Sequence, residues 1–321
     1  MKKKNIKILI LRFSSIGDIV LTTPVVRCLK TQLPGSEIHY LTKNAFQPVL
    51  AANPYIDKLH LLEKELRITI EKLKAESFDY VIDLHHNLRT LIIKTRLGVR
   101  SASFNKLNFE KWVLVNFKRN ILPPVHIVDR YLKTVEFLGV KNDNKGLDYF
   151  LQKEHDLTEL LPSGHQRFTG LVIGAQHATK RLPLYKLVEV CQKLQRPVVL
   201  LGGKDDRERG EEIREKCGDH VFNACGLFSL DESAYLVKMA ETIISHDTGL
   251  MHIAAAFNKP IISVWGNTVP AFGMFPYQVE NAKVVEVKGL GCRPCSKIGY
   301  RKCPLGHFKC MNDINVDDIT F

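Results

Sequence analysis

The 321 residues suffice for two domains, because single domains centre on about 100–200 residues. A composition that is 45% apolar and 25% charged excludes a disordered, collagen-like or low-complexity protein. No apolar run approaches the roughly 20 residues that cross a bilayer, and Arg12 interrupts the N-terminal apolar run too early for a secretory signal. We therefore expect a buried first strand and a cytoplasmic location.

Positive charge exceeds negative charge, and the excess is concentrated in the first half of the chain. The 46 Lys and Arg residues against 34 Asp and Glu residues give a net charge of +12. Residues 1–160 hold 26 basic and 17 acidic side chains, whereas residues 161–321 hold 20 and 17. The first half therefore favours an anionic partner, such as nucleic acid, lipid headgroups or a phosphorylated substrate.

Short apolar runs typical of strands alternate with amphipathic runs of helical length. In the first half, we predict strands at 6–13, 37–42, 58–62 and 78–85 and helices at 17–33, 64–76 and 127–138. In the second half, we predict strands at 168–175, 197–203, 220–224, 242–247 and 260–266 and helices at 183–194, 205–217 and 231–240. Apolar strands that alternate with helices favour parallel sheets covered on both faces.

The alternation is interrupted within residues 157–170, where Pro162 and Gly164 precede a fresh strand. We therefore predict an α/β protein of two doubly wound, Rossmann-like domains, 1–160 and 161–321, which face one another across a cleft. Ligands of such sheets bind beyond the carboxyl ends of the strands. The residues that follow the predicted strands are therefore the candidates for function.

The first strand ends in the sequence RFSSIGDIV (12–20). Asp18 falls in the first turn of the following helix, where the helix dipole favours a carboxylate. Two interpretations are open. Asp18 either helps to start the helix or serves as a general base at the floor of the cleft.

Two strand ends in the second half carry candidate phosphate-binding residues. GAQHATKRLP (174–183) places Lys180 after a turn of small residues, and HDTGLMH (246–252) places Asp247 as a helix N-cap, followed by the amides of Thr248 and Gly249. Unpaired amides, a positive dipole end and a lysine are what a pyrophosphate needs. The chain has neither G-x-G-x-x-G after the first strand nor a P-loop. His252, one helical turn after Thr248, is either structural or part of this site, and we favour the site.

These segments, in this order, resemble glycosyltransferase family 9, the ADP-heptose:lipopolysaccharide heptosyltransferases. The resemblance runs over nearly the whole chain and rests on ILILRFSSIGDIVLTTPVV, GAQHATKRLP, HDTGLMHIAAA, KPIISVWG and CRPC…CP…CMNDI. It implies the GT-B fold, with the acceptor site mainly in the N-terminal domain and the nucleotide-sugar site mainly in the C-terminal one. It also implies roles for individual residues: Asp18 as catalytic base, Lys180 as a phosphate contact, and Asp247, Thr248, Gly249 and His252 as the donor-binding helix start.

The resemblance further implies inverting transfer of heptose from ADP-heptose to the lipopolysaccharide inner core. Lys180 and the helix start would stabilise the departing ADP, so we expect catalysis to need no metal or other cofactor. Lys204 stands where relatives often carry an acidic residue, and a ribose contact is not predicted there. Another nucleotide-diphosphate sugar or acceptor stays open, and so does a basic nucleic-acid-binding protein without activity, although we find no nucleic-acid-binding motif and expect no nucleic acid partner.

Basic and large apolar residues are interleaved between residues 90 and 133. The segment 108–122 has the composition of a surface-seeking helix, and it is equally compatible with a helix that has one buried face and solvated lysines. For an anionic lipid A-core acceptor, we expect docking at the cytoplasmic surface of the inner membrane. The residues predicted to contact acceptor or membrane are Arg12, Arg96, Arg100, Lys111, Trp112, Lys118 and Arg119.

Four of the eight cysteines crowd into the segment 292–310 of the second domain. Cys292, Cys295, Cys303 and Cys310 have a spacing suited to a structural zinc, with His307 as an alternative ligand. Reduced thiols packed together are the other interpretation. The remaining cysteines are expected to be small buried apolar residues.

Overall fold

The computed structural model describes residues 6–319, which divide into two compact α/β units. Within these residues, the first unit comprises 6–106 and 125–152, and the second comprises 107–124 and 153–319. The sequence analysis placed the division between residues 160 and 161. The difference that matters is the segment 107–124, which interrupts the first unit and belongs to the second. Long-range packing decides this assignment, and local sequence patterns do not report it.

The first unit is built on a five-stranded parallel sheet in the order β3-β2-β1-β4-β5. Its strands are β1 (Lys7–Leu11), β2 (Glu37–Thr42), β3 (Lys58–Leu61), β4 (Tyr80–Asp83) and β5 (Arg100–Ser103). Its helices are α1 (Ile16–Val20), α2 (Thr23–Gln32), α3 (Leu66–Lys74), α4 (Leu88–Leu97) and α6 (Ile127–Leu132). The four residues 8–11 of β1 are fully buried, as expected for the central strand of a sheet covered on both faces.

The second unit is built on a six-stranded parallel sheet in the order β11-β10-β9-β6-β7-β8. Its strands are β6 (Thr169–Val172), β7 (Val198–Leu201), β8 (Val221–Asn223), β9 (Thr242–His246), β10 (Ile261–Trp265) and β11 (Ala282–Glu286). Its helices are α5 (Asn108–Phe117), α7 (Leu157–Leu160), α8 (Leu184–Leu194), α9 (Arg207–Cys217), α10 (Leu230–Met239), α11 (Gly249–Ala256) and α12 (Lys309–Asn312). No helix within residues 6–319 is both long and apolar enough to cross a bilayer.

The predicted helix at 17–33 is two helices in the structure. The first, α1, ends at Val20, and α2 begins at Thr23 with Pro24 in its first turn. Proline lacks the amide that an uninterrupted helix would use, and it is well tolerated only in a first turn. The break therefore has a local cause that can be seen in the sequence.

Both sheets reverse their strand order at one point, and this point locates the ligand sites. Connections from β1 run first to one side, to β2 and β3, and then to the other side, to β4 and β5. In the second unit the same reversal lies between β6 and β9. Doubly wound sheets bind ligands beyond the strand ends at this switch point. Ligand-binding residues are therefore expected after β1 and β4 in the first unit and after β6 and β9 in the second.

Candidate active site

The first unit presents Asp18 and Arg12 at its switch point. Arg12 follows β1 directly, Asp18 lies in the first turn of α1, and Nη2 of Arg12 is 2.7 Å from Oδ1 of Asp18. The Ser15 hydroxyl donates to Oδ2 of Asp18 at 2.8 Å, and the Ser15 amide donates to the same oxygen at 3.3 Å. Asp18 therefore helps to start the helix and is also displayed at the strand end. The two interpretations of this residue are compatible.

The Arg12 guanidinium is buried and held from three further directions. Its Nε donates to the Ser14 carbonyl at 2.8 Å, and its Nη1 donates to the Leu84 carbonyl at 2.6 Å and to the Tyr131 hydroxyl at 3.0 Å. Burial, the largest single influence, lowers the pKa of Arg12, but the charge and hydrogen bond of Asp18 together with Tyr131 and Tyr40 raise that pKa overall. Only 7% of Arg12 is exposed. Arg12 is therefore too buried to be a membrane contact and orients the Asp18 carboxylate, and its predicted contact with the acceptor stays a prediction.

His85 adjoins this pair, although the sequence analysis did not single it out. It follows β4, the neighbour of β1, and its ring centroid lies 4.8 Å from that of Phe13. Burial, assisted by the positive charge of Arg12, lowers the pKa of His85 to about 4, so the ring is neutral near pH 7. Its Nδ1 is buried and has no hydrogen-bond partner within residues 6–319. The pairing of two strands distant in sequence places it here, and no local pattern could reveal that.

The second unit brings Lys180 to Asp247 at its own switch point. Lys180 ends a short 3-10 turn after β6, and Asp247 follows β9 directly. The Lys180 Nζ is 2.5 Å from Oδ2 of Asp247, and the Thr268 hydroxyl donates to the same oxygen at 3.0 Å. The Lys180 ammonium, a cation suited to bind a diphosphate, therefore lies beside the start of α11.

The predicted N-cap role of Asp247 is wrong. The N-cap is Thr248, α11 begins at Gly249, and the Asp247 carboxylate is turned to Lys180 instead. The Thr248 hydroxyl lies 3.3 Å from the hydroxyl of Ser245 and does not cap the helix in the described structure. The first-turn amides of α11 thus lack a side-chain cap, which leaves them for an anion.

The segment 292–310 supports this site from behind. The Arg293 Nε donates to the Gly266 carbonyl at 2.5 Å, and its Nη2 donates to the Thr268 carbonyl at 2.8 Å. The Tyr300 amide donates to the hydroxyl of Thr179 at 2.8 Å, next to Lys180. The segment therefore holds Thr268, which donates to the Asp247 carboxylate, and Thr179, which precedes Lys180. Sequence reasoning missed this role of Arg293, because it depends on tertiary contacts.

The four cysteines of this segment are neighbours. Burial raises the pKa of Cys310 to about 12, and the charges of Cys295, Cys303 and Cys292 contribute to that shift. Yet within residues 6–319 no three of these sulfurs lie within 4.8 Å of one another. None of the four forms a disulfide bond, and the structural zinc stays a prediction.

The match to a known family decides the class of this protein. A family model described as glycosyltransferase family 9 (heptosyltransferase) matches residues 67–305. The chain belongs to glycosyltransferase family 9. Lipooligosaccharide heptosyltransferase 2 of Haemophilus influenzae is 28% identical over 302 residues, which cover 83% of this chain and 84% of that protein.

Solved structures of family 9 glycosyltransferases show the same fold. The family 9 glycosyl transferase from Veillonella parvula has a TM-score of 0.74 and 25% identity, covering 88% of each chain. The Escherichia coli ADP-heptose lipopolysaccharide heptosyltransferase II has a TM-score of 0.70 and 22% identity, covering 96% of this chain and 98% of that one. The predicted family, the GT-B fold and the glycosyltransferase class are therefore confirmed.

The other predicted site residues of this family 9 glycosyltransferase fall into two groups. His252 is buried in α11 with 2% exposed, and its contact with a donor stays a prediction. Lys204, where no ribose contact is predicted, is exposed after β7. The residues predicted to dock on acceptor or membrane are divided between the units: Arg96 and Arg100 lie in the first, and Lys111, Trp112, Lys118 and Arg119 lie in the second.

Proposed function

We propose that this enzyme transfers heptose from ADP-heptose to the lipopolysaccharide inner core, with inversion at the sugar carbon. The relatives named above support the sugar and the acceptor class, because one is a lipooligosaccharide heptosyltransferase and another is an ADP-heptose lipopolysaccharide heptosyltransferase. One structural observation carries the mechanism. Each doubly wound sheet presents its own chemistry at its switch point, an oriented carboxylate in the first unit and a lysine beside an uncapped helix start in the second.

The second unit is suited to hold the diphosphate. The first amides of α11 carry partial positive charge, and the Lys180 ammonium lies beside them. Lys180 forms an ion pair with Asp247 at 2.5 Å. A bound diphosphate would therefore share the Lys180 ammonium with Asp247 or replace Asp247 as its partner. As the bond from the sugar carbon to the diphosphate oxygen breaks, the new negative charge on ADP meets donors that are already oriented. This charge stabilisation is why we propose transfer without a divalent metal.

The first unit is suited to activate the acceptor. The acceptor hydroxyl attacks the anomeric carbon, a new carbon–oxygen bond forms, and the hydroxyl proton passes to the Asp18 carboxylate. The ion pair with Arg12 and the bond from Ser15 hold that carboxylate in one orientation. A single displacement from the face opposite the leaving ADP inverts the carbon. His85, neutral and with a free ring nitrogen, is the neighbouring group that could orient the acceptor.

Incubation with ADP-heptose and a panel of truncated core acceptors tests the proposal. We expect ADP release only with inner-core acceptors, and a product heavier by one heptose. Turnover with a UDP- or GDP-sugar instead would move the enzyme to the alternative of another nucleotide-diphosphate sugar. Unchanged rates with EDTA or added Mg²⁺ in a short assay would support transfer without a metal, and loss of activity that Mg²⁺ restores would contradict it.

The donor role of Lys180 is tested by Lys180→Ala. We expect ADP binding to weaken about 10- to 100-fold, since charge-assisted bonds to a phosphate contribute about 1.5–3 kcal/mol. Lys238→Ala, an exposed lysine at the end of α10 in the same unit, is the matched control. An ADP dissociation constant that is equal in both variants would remove Lys180 from the site.

We propose further that α5 contacts the membrane surface with its aromatic face. Phe109, Trp112 and Phe117 are 66%, 49% and 66% exposed, and Trp112 lies 6.3 and 5.2 Å from the other two ring centroids. An exposed aromatic cluster beside the cation of Arg119 suits an anionic lipid interface. Lys118 has another task, because its Nζ donates to the carbonyls of Val115 at 2.6 Å and Pro294 at 2.7 Å.

Co-sedimentation with vesicles that contain anionic lipid tests the contact. We expect binding of the wild type to weaken strongly in Trp112→Ser/Phe117→Ser, because two large apolar side chains leave the interface. Tyr185→Ser, which removes an aromatic ring 55% exposed in the same unit, should bind like the wild type. If all three proteins bind the vesicles equally, or if the wild type does not bind them even at low salt, α5 is a helix with one buried face and solvated lysines.

A structural zinc in the segment 292–310 stays a prediction, and no catalytic step depends on it. Metal analysis of the purified protein under reducing conditions decides between the alternatives. One zinc that disappears in Cys303→Ser would support the metal. Zinc content unchanged by Cys303→Ser would support reduced thiols packed together.

A further inference from the structure

A cluster of potential metal ligands lies in the first unit, apart from Asp18, Arg12 and His85. His39 on β2, His60 on β3 and Glu76, two residues after α3, each place one ligand atom within 4.8 Å of the other two. Nδ1 of His39 is 2.9 Å from Nε2 of His60 and 3.9 Å from Oε2 of Glu76. Within residues 6–319, this is the one group of three or more such side chains that is close enough for a metal ion.

The geometry is close to that of a tetrahedral zinc site. Zinc–nitrogen bonds of about 2.0–2.1 Å at tetrahedral angles place two ligand nitrogens about 3.3 Å apart. The distances of 2.9 and 3.9 Å bracket this value and the third separation is at most 4.8 Å, so no separation needs to change by more than about 1.5 Å to complete the set. We propose that His39, His60 and Glu76 bind a zinc ion, with water as the fourth ligand.

The surroundings of His39 support this assignment. Its side chain is fully buried, and its Nε2 lies 2.7 Å from Oε1 of Glu37. A carboxylate on the far nitrogen of an imidazole fixes the tautomer and turns the other nitrogen toward the metal, as in carboxylate–histidine–zinc triads. Nε2 of His60 is the atom that faces Nδ1 of His39, so His60 would bind the ion through Nε2 and keep its proton on Nδ1.

Two lysines compete with the ion for Glu76. Lys58 forms an ion pair with Oε1, and Lys7 lies 3.5 Å from Oε2, the atom assigned to zinc. Lys58 is bound to the other oxygen and is half exposed, while Lys7 also lies 3.4 Å from Glu37. Zinc would therefore displace the contact of Lys7 with Glu76, and Lys7 would keep its contact with Glu37.

The site would clamp the edge of the sheet. Its ligands come from the edge strand β3, from its neighbour β2 and from the chain that leaves α3. The edge strand β3 has four residues, and none of them is fully buried. A short, weakly buried edge strand gains more from a cross-link than a central strand does, and edges are where sheets need protection.

Zinc content after reconstitution and removal of loose metal tests the proposal. We expect native mass spectrometry to find one zinc more in the wild type than in His60→Gln or Glu76→Gln. Glu71→Gln, the same charge change at an exposed position of α3, should retain the wild-type count. The comparison is a difference between variants, so any zinc held by the cysteines cancels. Glu37→Gln, which removes only the carboxylate behind His39, should weaken this zinc about 10- to 100-fold.

Equal zinc counts in the wild type, His60→Gln and Glu76→Gln would overturn the proposal and assign the cluster to the lysines. A second measurement needs no variant. We expect zinc to protect His60 of the folded wild type from diethylpyrocarbonate, followed by peptide mass spectrometry. Modification at the same rate with and without zinc would also overturn the proposal.

Discussion

Replacing Asp18 by Asn removes the proposed base and keeps the shape of the side chain. Loss of a positioned general base lowers turnover about 10²- to 10⁴-fold, so a 10³-fold loss would correspond to about 4 kcal/mol of transition-state stabilisation. Donor binding should stay unchanged, because the proposed donor residues lie in the other unit. We therefore expect kcat to fall steeply while the ADP dissociation constant stays the same.

The same substitution also lowers stability, because Asp18 forms an ion pair with the buried Arg12. Removing one partner of a fully buried pair costs about 3–5 kcal/mol. Here the Asp18 side chain is 23% exposed, and Arg12 keeps its bonds to Ser14, Leu84 and Tyr131. We expect a loss of about 1–3 kcal/mol, which lowers the unfolding midpoint by about 2–4 °C per kcal/mol for a unit of this size.

The loss of catalysis is separated from the loss of stability by measuring ADP release with an inner-core acceptor. The temperature is kept well below the unfolding midpoints of the wild type and of Asp18→Asn. Asp219→Asn, an exposed aspartate after α9, is the control for the substitution itself. Arg12→Lys keeps the charge but loses the planar fork, so its activity should lie between those of the wild type and Asp18→Asn. A kcat of Asp18→Asn within about threefold of the wild type, with the protein folded, would refute the assignment of Asp18 as base.

Three further predictions concern the second unit. Thr268→Val removes the bond to Asp247 and should lower kcat/KM for the donor about tenfold in steady-state assays, with an unchanged value contradicting this. A Cβ on Gly266 would lie 2.6 Å from the Thr179 carbonyl, so Gly266→Ala should cost about 1–3 kcal/mol in urea unfolding, and equal stability would exclude that clash. Burial lowers the pKa of His246 to about 3, below its unfolded value of about 6.5. Between these two pH values His246 is protonated only in the unfolded state, so stability falls as the pH drops below about 6.5. The fall should be shallower in His246→Gln by up to about 1.4 kcal/mol per pH unit in unfolding titrations, and parallel curves would contradict it.

The residues after the first strand of each sheet could be predicted because their patterns are local. An apolar run, a turn of small residues and a helix start identify Asp18 and Lys180, and the parallel sheets place both at switch points. The N-cap error has a local cause as well. Asp247 and Thr248 are both good N-caps, and the ion pair of Asp247 with Lys180 decides between them.

What the sequence could not predict depends on contacts between distant segments. Arg12 has the same charge whether it is exposed or buried, and only the contacts with Leu84 and Tyr131 show which. The segment 107–124 lies between elements of the first unit, yet its Lys118 is bonded to carbonyls of the segment 292–310. His39 and His60 meet only because β2 and β3 pair in parallel.

A crystal structure of the enzyme with ADP is the most direct test of the central claim. The account predicts β-phosphate oxygens within about 3 Å of the first amides of α11 and of the Lys180 Nζ. It would be contradicted by a diphosphate bound elsewhere while the start of α11 and the pair of Lys180 with Asp247 stay as they are here.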